Sequence, residues 1–343
     1  MADNLFSLHL GEESIKMVDG SAVNGKVAIN SIGGLSQTPL FYEIDTQKTI
    51  EDEGKLLEKL ATSLKIKTKN LNVVIPDGMT YSQILEMPRL KEKELLSAIR
   101  YQADQFIPMP LDKASLDLEI LQEDKLKNKL LVLIVAAPSK LISQVEKLVE
   151  AAGFIPDGVE NELSATGRFL SSIYKVKPEP GVASVFINFG FSSSSLYLFH
   201  HETNLIIDLH TFKIGLNLFL KEIEVNARLD INKAEIALSQ IGLADNGSVN
   251  LAEMLKPVTS ELTTEVEKFI IAEKEKYKLS KISQVFLINQ SNRIKFLGQK
   301  IQQAVGLPTG VLDLAPYITK TQGVIAAGND LSGFVGAIGG TLR

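Results

Sequence analysis

Neither cysteine nor tryptophan occurs among the 343 residues. The lack of cysteine removes disulfide scaffolds, thiolate nucleophiles and Cys-based zinc or iron-sulfur sites together, and it suits a reducing compartment. Long apolar runs are missing too. The longest, Leu130 to Pro138, is far short of the ~20 residues that a membrane-spanning helix needs. The opening residues Met1-Ala2-Asp3-Asn4 lack a basic stretch followed by an apolar one, so no secretory signal is expected. Positive charge is not in surplus: 36 Lys and Arg face 41 Asp and Glu, a net charge of −5, and the pI is near 5.6. Binding of nucleic acid through bulk charge is therefore not expected. What is present is 45% hydrophobic and 22% charged residues, the balance of a cytosolic globular protein of roughly two domains.

The N-terminal part reads as strands at Leu5 to Leu10, Ser14 to Val18 and Lys26 to Ile32, with Asn24-Gly25 as a hairpin signal. A helix is predicted from Thr49 to Leu64, because Leu56, Leu57, Leu60 and Leu64 recur at spacings of three and four. A buried strand follows at Leu71 to Ile75, stopped by Pro76-Asp77-Gly78. The same order returns in the middle of the chain. Val182 to Phe189, Ser194 to His200 and Leu205 to Thr211 read as strands around Gly190, and a helix follows from Gly215 to Glu224. The repeat implies two similar halves, although two unrelated β-meanders would give the same pattern.

Two segments interrupt the halves. Residues 79 to 155 combine a helix at Lys91 to Phe106, strands at Leu116 to Gln122 and Leu130 to Ala136, and a helix at Lys140 to Ala152. Residues 225 to 281 are largely helical, with Leu262, Val266, Phe269 and Ile270 on one face of a helix from Pro257 to Tyr277. Helices are also predicted at Glu162 to Tyr174 and Arg293 to Val305, and a strand at Gln284 to Ile288. His200-His201-Glu202 reads as a hairpin turn rather than a metal site, because adjacent strand residues point to opposite faces. Lys65, Lys67 and Lys69 read as a solvated surface, with an anionic lipid headgroup as the other use of such a run.

The segment Ala98-Ile99-Arg100-Tyr101-Gln102-Ala103-Asp104-Gln105-Phe106-Ile107-Pro108-Met109-Pro110-Leu111, followed by Leu116-Asp117-Leu118, resembles the type IV pilus assembly protein PilM family, whose actin-like fold is related to that of the cell-division protein FtsA. Met87-Pro88, Ala136-Ala137-Pro138, Ala152-Gly153-Phe154, Val159-Glu160-Asn161-Glu162, Ala234-Glu235 and the closing Ala337 to Arg343 follow the family's order. The resemblance implies an α/β, actin-like (ribonuclease H-like duplicated) fold. Subdomain 1A would hold residues 1–78 and 156–181, 1C residues 79–155, 2A residues 182–224 and 282–343, and 2B residues 225–281.

For function, the resemblance implies a scaffold at the cytoplasmic face of the inner membrane, held there by partners in the pilus platform. Its members grip the cytoplasmic N-terminal segment of the membrane protein PilN in a groove between 1A and 1C. The candidate anchors here are Tyr81, Met87, Tyr101, Phe106 and Pro108, since a captured peptide needs a few buried contacts. Other platform proteins and the cytoplasmic motor are implied as further partners, and self-association is left open.

Actin-like relatives hold ATP with Mg²⁺ between two glycine turns that offer backbone N–H groups to the phosphates. Gly11, Ser14 and Lys16 in the first turn, Gly190, Ser193 and Ser194 in the second, and Glu235 match that pattern. However, His9 and Asn188 stand where aspartates are expected, Glu12 and Glu13 bring negative charge to the phosphate turn, and Leu287 to Asn292 lacks a Gly-Gly pair. Gly215-Leu216 likewise replaces a Gly-Gly pair, and Leu238 replaces a lysine. Glu162 is either the remnant of a water-positioning acid or a carboxylate favoured by a helix N-terminus. A degenerate site with neither cofactor nor hydrolysis is expected. The alternatives are an ATP-binding switch or ATPase of the same fold and a division anchor like FtsA, which would need an amphipathic membrane helix where the sequence reads Gly339-Gly340-Thr341-Leu342-Arg343.

Overall fold

A computed structural model of the chain describes residues 5–36, 38, 41–42, 46–90, 94–95, 97–99, 107–244, 250–321, 323–328 and 330–343. Strands β1 (Phe6–Leu10), β2 (Ser14–Val23) and β3 (Lys26–Ser36) form an antiparallel meander, and β4 (Asn70–Ile75) continues it in parallel beside β1. Asn24 and Gly25 both take positive φ, 50° and 74°, the backbone that a two-residue hairpin requires. The inserted strands β5 (Tyr81–Pro88), β6 (Ala114–Asp124) and β7 (Lys129–Pro138) make a separate antiparallel sheet in the order β5-β7-β6. Strand β8 (Ile155–Asn161) then returns to pair in parallel with β4.

The second half repeats the first. Strands β9 (Val182–Phe189), β10 (Ser194–His200) and β11 (Leu205–Phe212) form the meander, and β12 (Lys281–Asn289) and β13 (Thr309–Val311) extend it in parallel. The orders β3-β2-β1-β4-β8 and β11-β10-β9-β12-β13 follow one path, so the fold is a duplicated α/β unit. Strands β1 and β9 are buried at every residue, as central strands covered on both faces must be.

The helix Gln47–Ser63 is capped by Thr46, whose side chain accepts the Thr49 N–H at 3.2 Å, and it buries Leu57, Leu60 and Ala61 against the first sheet. Each buried leucine contributes about 1.5–3 kcal/mol. Beside it lies the helix Ser139–Ala151, with Leu141, Val145, Leu148 and Val149 in the same core. That helix packs in the layer over the first sheet and also touches β6 and β7 of the inserted lobe's sheet. In the second half the helices Leu216–Ala227, Ile231–Gln240 and Lys256–Lys276 share one core with the sheet.

Several local expectations differ from the structure for identifiable reasons. Met87-Pro88 ends strand β5. Strand β5 is an edge strand, where a proline costs no ladder hydrogen bond. Strand β8, also at a sheet edge, tolerates Pro156 and Gly158 with a register shift opposite Leu71 and Asn72. The helix expected from Arg293 begins at Leu297, because Ser291–Arg293 form a 3-10 turn and Phe296 takes φ of 67°. Of the helix expected at 91–106, residues 94–95 and 97–99 are helical and the others lie outside the described residues.

Residues expected with the second sheet cross back to the first. Strand β14 (Ile318–Lys320) pairs in parallel with β3, and the short helix Val335–Gly340 packs on the helix Glu162–Phe169 and on β1. Contact is so close that a Cβ on Gly339 would lie 1.9 Å from the Ala165 carbonyl oxygen, and one on Gly340 would lie 2.2 Å from Ser7 Oγ. Gly339→Ala should therefore destabilise the fold by about 3 kcal/mol or more. Gly336→Ala, whose Cβ meets nothing nearer than 3.8 Å, should be neutral or stabilising by up to about 1 kcal/mol. Urea melts of the two variants check this, and equal stabilities would refute the packing argument.

Candidate functional site

Parallel strands from both halves point their C-terminal ends at one crevice, the place where open α/β sheets gather ligands. Strands β1, β9 and β12 each carry a polar residue at or beside that end: His9, Asn188 and Asn289. Asp77 follows β4, and Asn161 with Glu162 closes β8. Asn161 caps the next helix by accepting the Ser164 N–H at 3.1 Å, which fixes Glu162 in its first turn.

Glu162 is the hub. His9 Nε2 lies 2.8 Å from its Oε1, Asn289 Nδ2 donates to the same oxygen at 2.8 Å, and Asn188 Nδ2 donates to Oε2 at 2.8 Å. The Asp77 N–H reaches Oε2 at 3.2 Å. Asp77 in turn accepts the Leu163 N–H at 2.9 Å and the Tyr197 hydroxyl. Lys16 Nζ donates to Asn289 Oδ1 at 2.7 Å, and Asn289 Nδ2 also donates to Asn188 Oδ1 at 3.0 Å.

Burial sets the charges. It lowers the His9 pKa, outweighing the Glu162 contact, and brings Lys16 down to about 8. Burial would raise the Glu162 carboxyl, yet the hydrogen bonds from His9, Asn188 and the Asp77 N–H hold it below its ordinary value. Asp77 is pushed up to about 6 by burial and by the neighbouring Glu162 charge. One carboxylate is thus ionised and the other resists ionisation.

The two glycine turns face each other across the crevice and close themselves. Gly11 N–H donates to the Ser14 carbonyl at 2.9 Å, and Gly190 N–H donates to the Ser193 carbonyl at 3.0 Å. Glu12 reaches over to the second turn, accepting the Ser192 N–H at 3.1 Å and the Ser192 hydroxyl. Arg293 bridges Glu13 of the first half and Glu235 of the second. It also lines two cavities of about 300 Å³ and 320 Å³, the first beside Lys16, Asn289 and Gly333, the second beside Asn232, Glu235 and Leu238.

The residues of the expected nucleotide pattern lie in or beside this crevice; the Ser14 hydroxyl is buried without a hydrogen-bond partner among the described residues, and several of the others are engaged with the protein itself. Ser194 Oγ donates to the Ile214 carbonyl at 2.6 Å, and Ser193 sits against Gly78, where an added Cβ would lie 2.2 Å from its Oγ. Sequence reasoning missed Asp77, Tyr197, Asn289 and Arg293. The available signal was a polar residue at or beside the C-terminal end of a strand, which marks His9, Asn188 and Asn289 alike. His201 uses Nε2 toward Ser184 Oγ at 2.8 Å, and His200 lies 3.3 Å from Thr203 Oγ1, so both serve their turn.

A second concavity, of about 140 Å³, lies between the inserted lobe and the rest of the molecule. Ile84 and Leu133 come from the lobe, Leu163 and Gly167 from the helix Glu162–Phe169, and Ile206 from β11, with Glu119 and Arg168 at the rim. Arg168 is anchored by a bond from Nη1 to Glu160 Oε1 at 2.9 Å. Successive strand residues face opposite ways, and Tyr81 and Met87 lie on the far side of the lobe's sheet from Ile84. Met87 packs with Leu95 and Ile99, and Tyr81 with Ile107 and Met109, so neither lines this groove. Pro108 is exposed beside them. Tyr101 and Phe106 lie outside the described residues.

A sequence profile described as type IV pilus assembly protein PilM matches residues 7–343. The chain belongs to the type IV pilus assembly protein PilM family. A solved structure of the PilM-PilN type IV pilus biogenesis complex matches with a TM-score of 0.80 at 16% identity, covering 98% of this chain and 97% of that one. The ethanolamine utilization protein EutJ from Carboxydothermus hydrogenoformans matches with a TM-score of 0.55 at 9% identity, over 98% and 89% of the two chains. Both likenesses show the actin-like fold. That fold implies Mg-ATP in the crevice, and the residues present do not fit it. The Ser192 N–H that a phosphate would take is taken by Glu12, the nearby cation Arg293 is held between two carboxylates, and Glu162 is enclosed by protein donors. Among the described residues, no helix is long and apolar enough to cross a membrane.

The pH dependence of stability should reveal the enclosed acid. Asp77 titrates near 6 when folded and near 3.8 when unfolded, so in that window the folded state binds more protons and stability falls as pH rises. Asp77→Asn removes this titration. Relative to the unmodified protein, its stability should climb by up to about 3 kcal/mol between pH 3.8 and 6 and then level off. Denaturant curves at a series of pH values check it; a stability difference that stays constant across the window contradicts the assignment.

Proposed function

We propose that this chain is a cytoplasmic scaffold of the type IV pilus inner-membrane platform, and that it holds the N-terminal cytoplasmic segment of a PilN-like membrane protein in the groove between the inserted lobe and the first half. The observation that carries this reading is the match over nearly the whole chain, at a TM-score of 0.80, to the PilM-PilN complex. The groove supports it. Its apolar floor suits a short segment with a few buried aliphatic anchors, and its Glu119 and Arg168 rim supplies polar contacts to orient one. Association with the membrane then comes through the partner, as does contact with the rest of the platform and its motor.

Gly167 offers a clean test. It lies on the groove wall within a helix, and a Cβ there meets only Ile206 at an ordinary 3.6 Å. Gly167→Leu should fill the groove without straining the fold, and it replaces a poor helix former with a good one. Calorimetry with the N-terminal peptide of a PilN-like protein should show binding to the unmodified chain and at least a tenfold loss with Gly167→Leu, at an equal or higher melting temperature. Unchanged peptide affinity in the folded variant would move the site elsewhere; no binding to the unmodified chain would reject the partner.

A further inference from the structure

We infer that the two halves of this chain are latched shut by its own side chains, with Glu12 and Arg293 occupying the places that a nucleotide takes in an actin-like crevice. Besides the bonds that Asn188, Asn289 and Tyr197 make to Glu162 and Asp77, three links run from the first glycine turn and its strand to the second half. Glu12 binds the backbone N–H and hydroxyl of Ser192, Glu13 binds Arg293, and Lys16 binds Asn289. The Glu12 carboxylate does the work of a phosphate oxygen, since it is an anion accepting a backbone N–H at the tip of a glycine turn.

Arg293 does a second job. Because it joins Glu13 to Glu235, it stands between the two cavities of about 300 Å³ and 320 Å³, so a molecule long enough to span both must first expel it. Expulsion would break the Arg293 ion pairs with Glu13 and Glu235, at a cost. A polyphosphate arriving there would also add negative charge to Glu12, Glu13 and Glu162. The chain therefore gains nothing from nucleotide that it does not already have, and its closure does not depend on ligand.

The absence of cysteine makes the test direct. Spin labels placed through Glu58→Cys and Thr264→Cys, one on an exposed site of each half, report the separation of the halves by pulsed electron resonance. The otherwise unmodified chain should give one narrow distance distribution, identical with and without millimolar Mg-ATP. Its melting temperature should move by less than about 1 °C, whereas a native-state ligand would raise it by several degrees. Replacing Glu12 and Glu13 together by serine should lengthen and broaden the distribution. A shift in distance or melting temperature on adding Mg-ATP to the unmodified loops overturns the inference, and this readout does not need the variant to fold. A folded double variant with the parent distance distribution also overturns it, and neither measurement involves the PilN-like peptide.

Discussion

Glu162 is a buried carboxylate held below its ordinary pKa by its hydrogen bonds, and removing a charge from water costs several kcal/mol unless the surroundings supply such bonds. No single half supplies them. His9 and the Asp77 N–H come from the first sheet, and the amides of Asn188 and Asn289 come from the second. Any closed arrangement that failed to bring these four together would strand a charge, so the hub specifies how the halves meet as well as that they meet. The protonated tendency of Asp77 follows from the same geometry, because two carboxylates this close cannot both ionise without loss.

The proposed partner groove is built on that closure. The helix that begins at Glu162 continues through Leu163 and Gly167 to Arg168, so the residue that satisfies the crevice and the residues that wall the groove move as one rigid element. Ile206 arrives from the second half and packs in one core with Leu163, Ile84 and Leu133. A groove assembled from the lobe, the first half and the second half keeps its shape only while the halves stay closed. A closure made of fixed side chains gives a partner a groove that is already formed, which lowers the ordering cost of binding.

Much of the architecture was legible because its signals are local. The repeat of strand, glycine turn, strand and helix could be read from residues 5 to 64 and again from 182 to 224, and Asn24-Gly25 named its own turn. Strands β5 and β8 were not legible, since Pro88, Pro156 and Gly158 argue against a strand unless it is known to lie at an edge or beside a bulge. The crevice was half legible. His9, Asn188, Glu12 and Glu13 stood out as misfits for a nucleotide, but their real partners lie far along the chain: Glu12 bonds Ser192, and Glu13 bonds Arg293. Pairings of that kind follow from how the sheets stack, which no local pattern records. Tyr81 and Met87 stand out in the sequence as aromatic or apolar residues, whereas it is the two-residue period of β5 that sets them on the opposite face from Ile84.

The glycine turns show why a fold can outlast its ligand. Gly11 and Gly190 each close their turn with a backbone bond to the serine three residues on, at 2.9 Å and 3.0 Å, so the turn's shape needs no phosphate to hold it. What decides whether a phosphate is welcome is the side chain set beside that shape. With glutamates at 12 and 13 and an arginine at 293, the N–H of Ser192 and the guanidinium drawn between Glu13 and Glu235 are spoken for within the chain. The same backbone that would cradle an anion from solution cradles one from its own sequence. With its anion built in, the crevice closes on contacts that the chain carries itself.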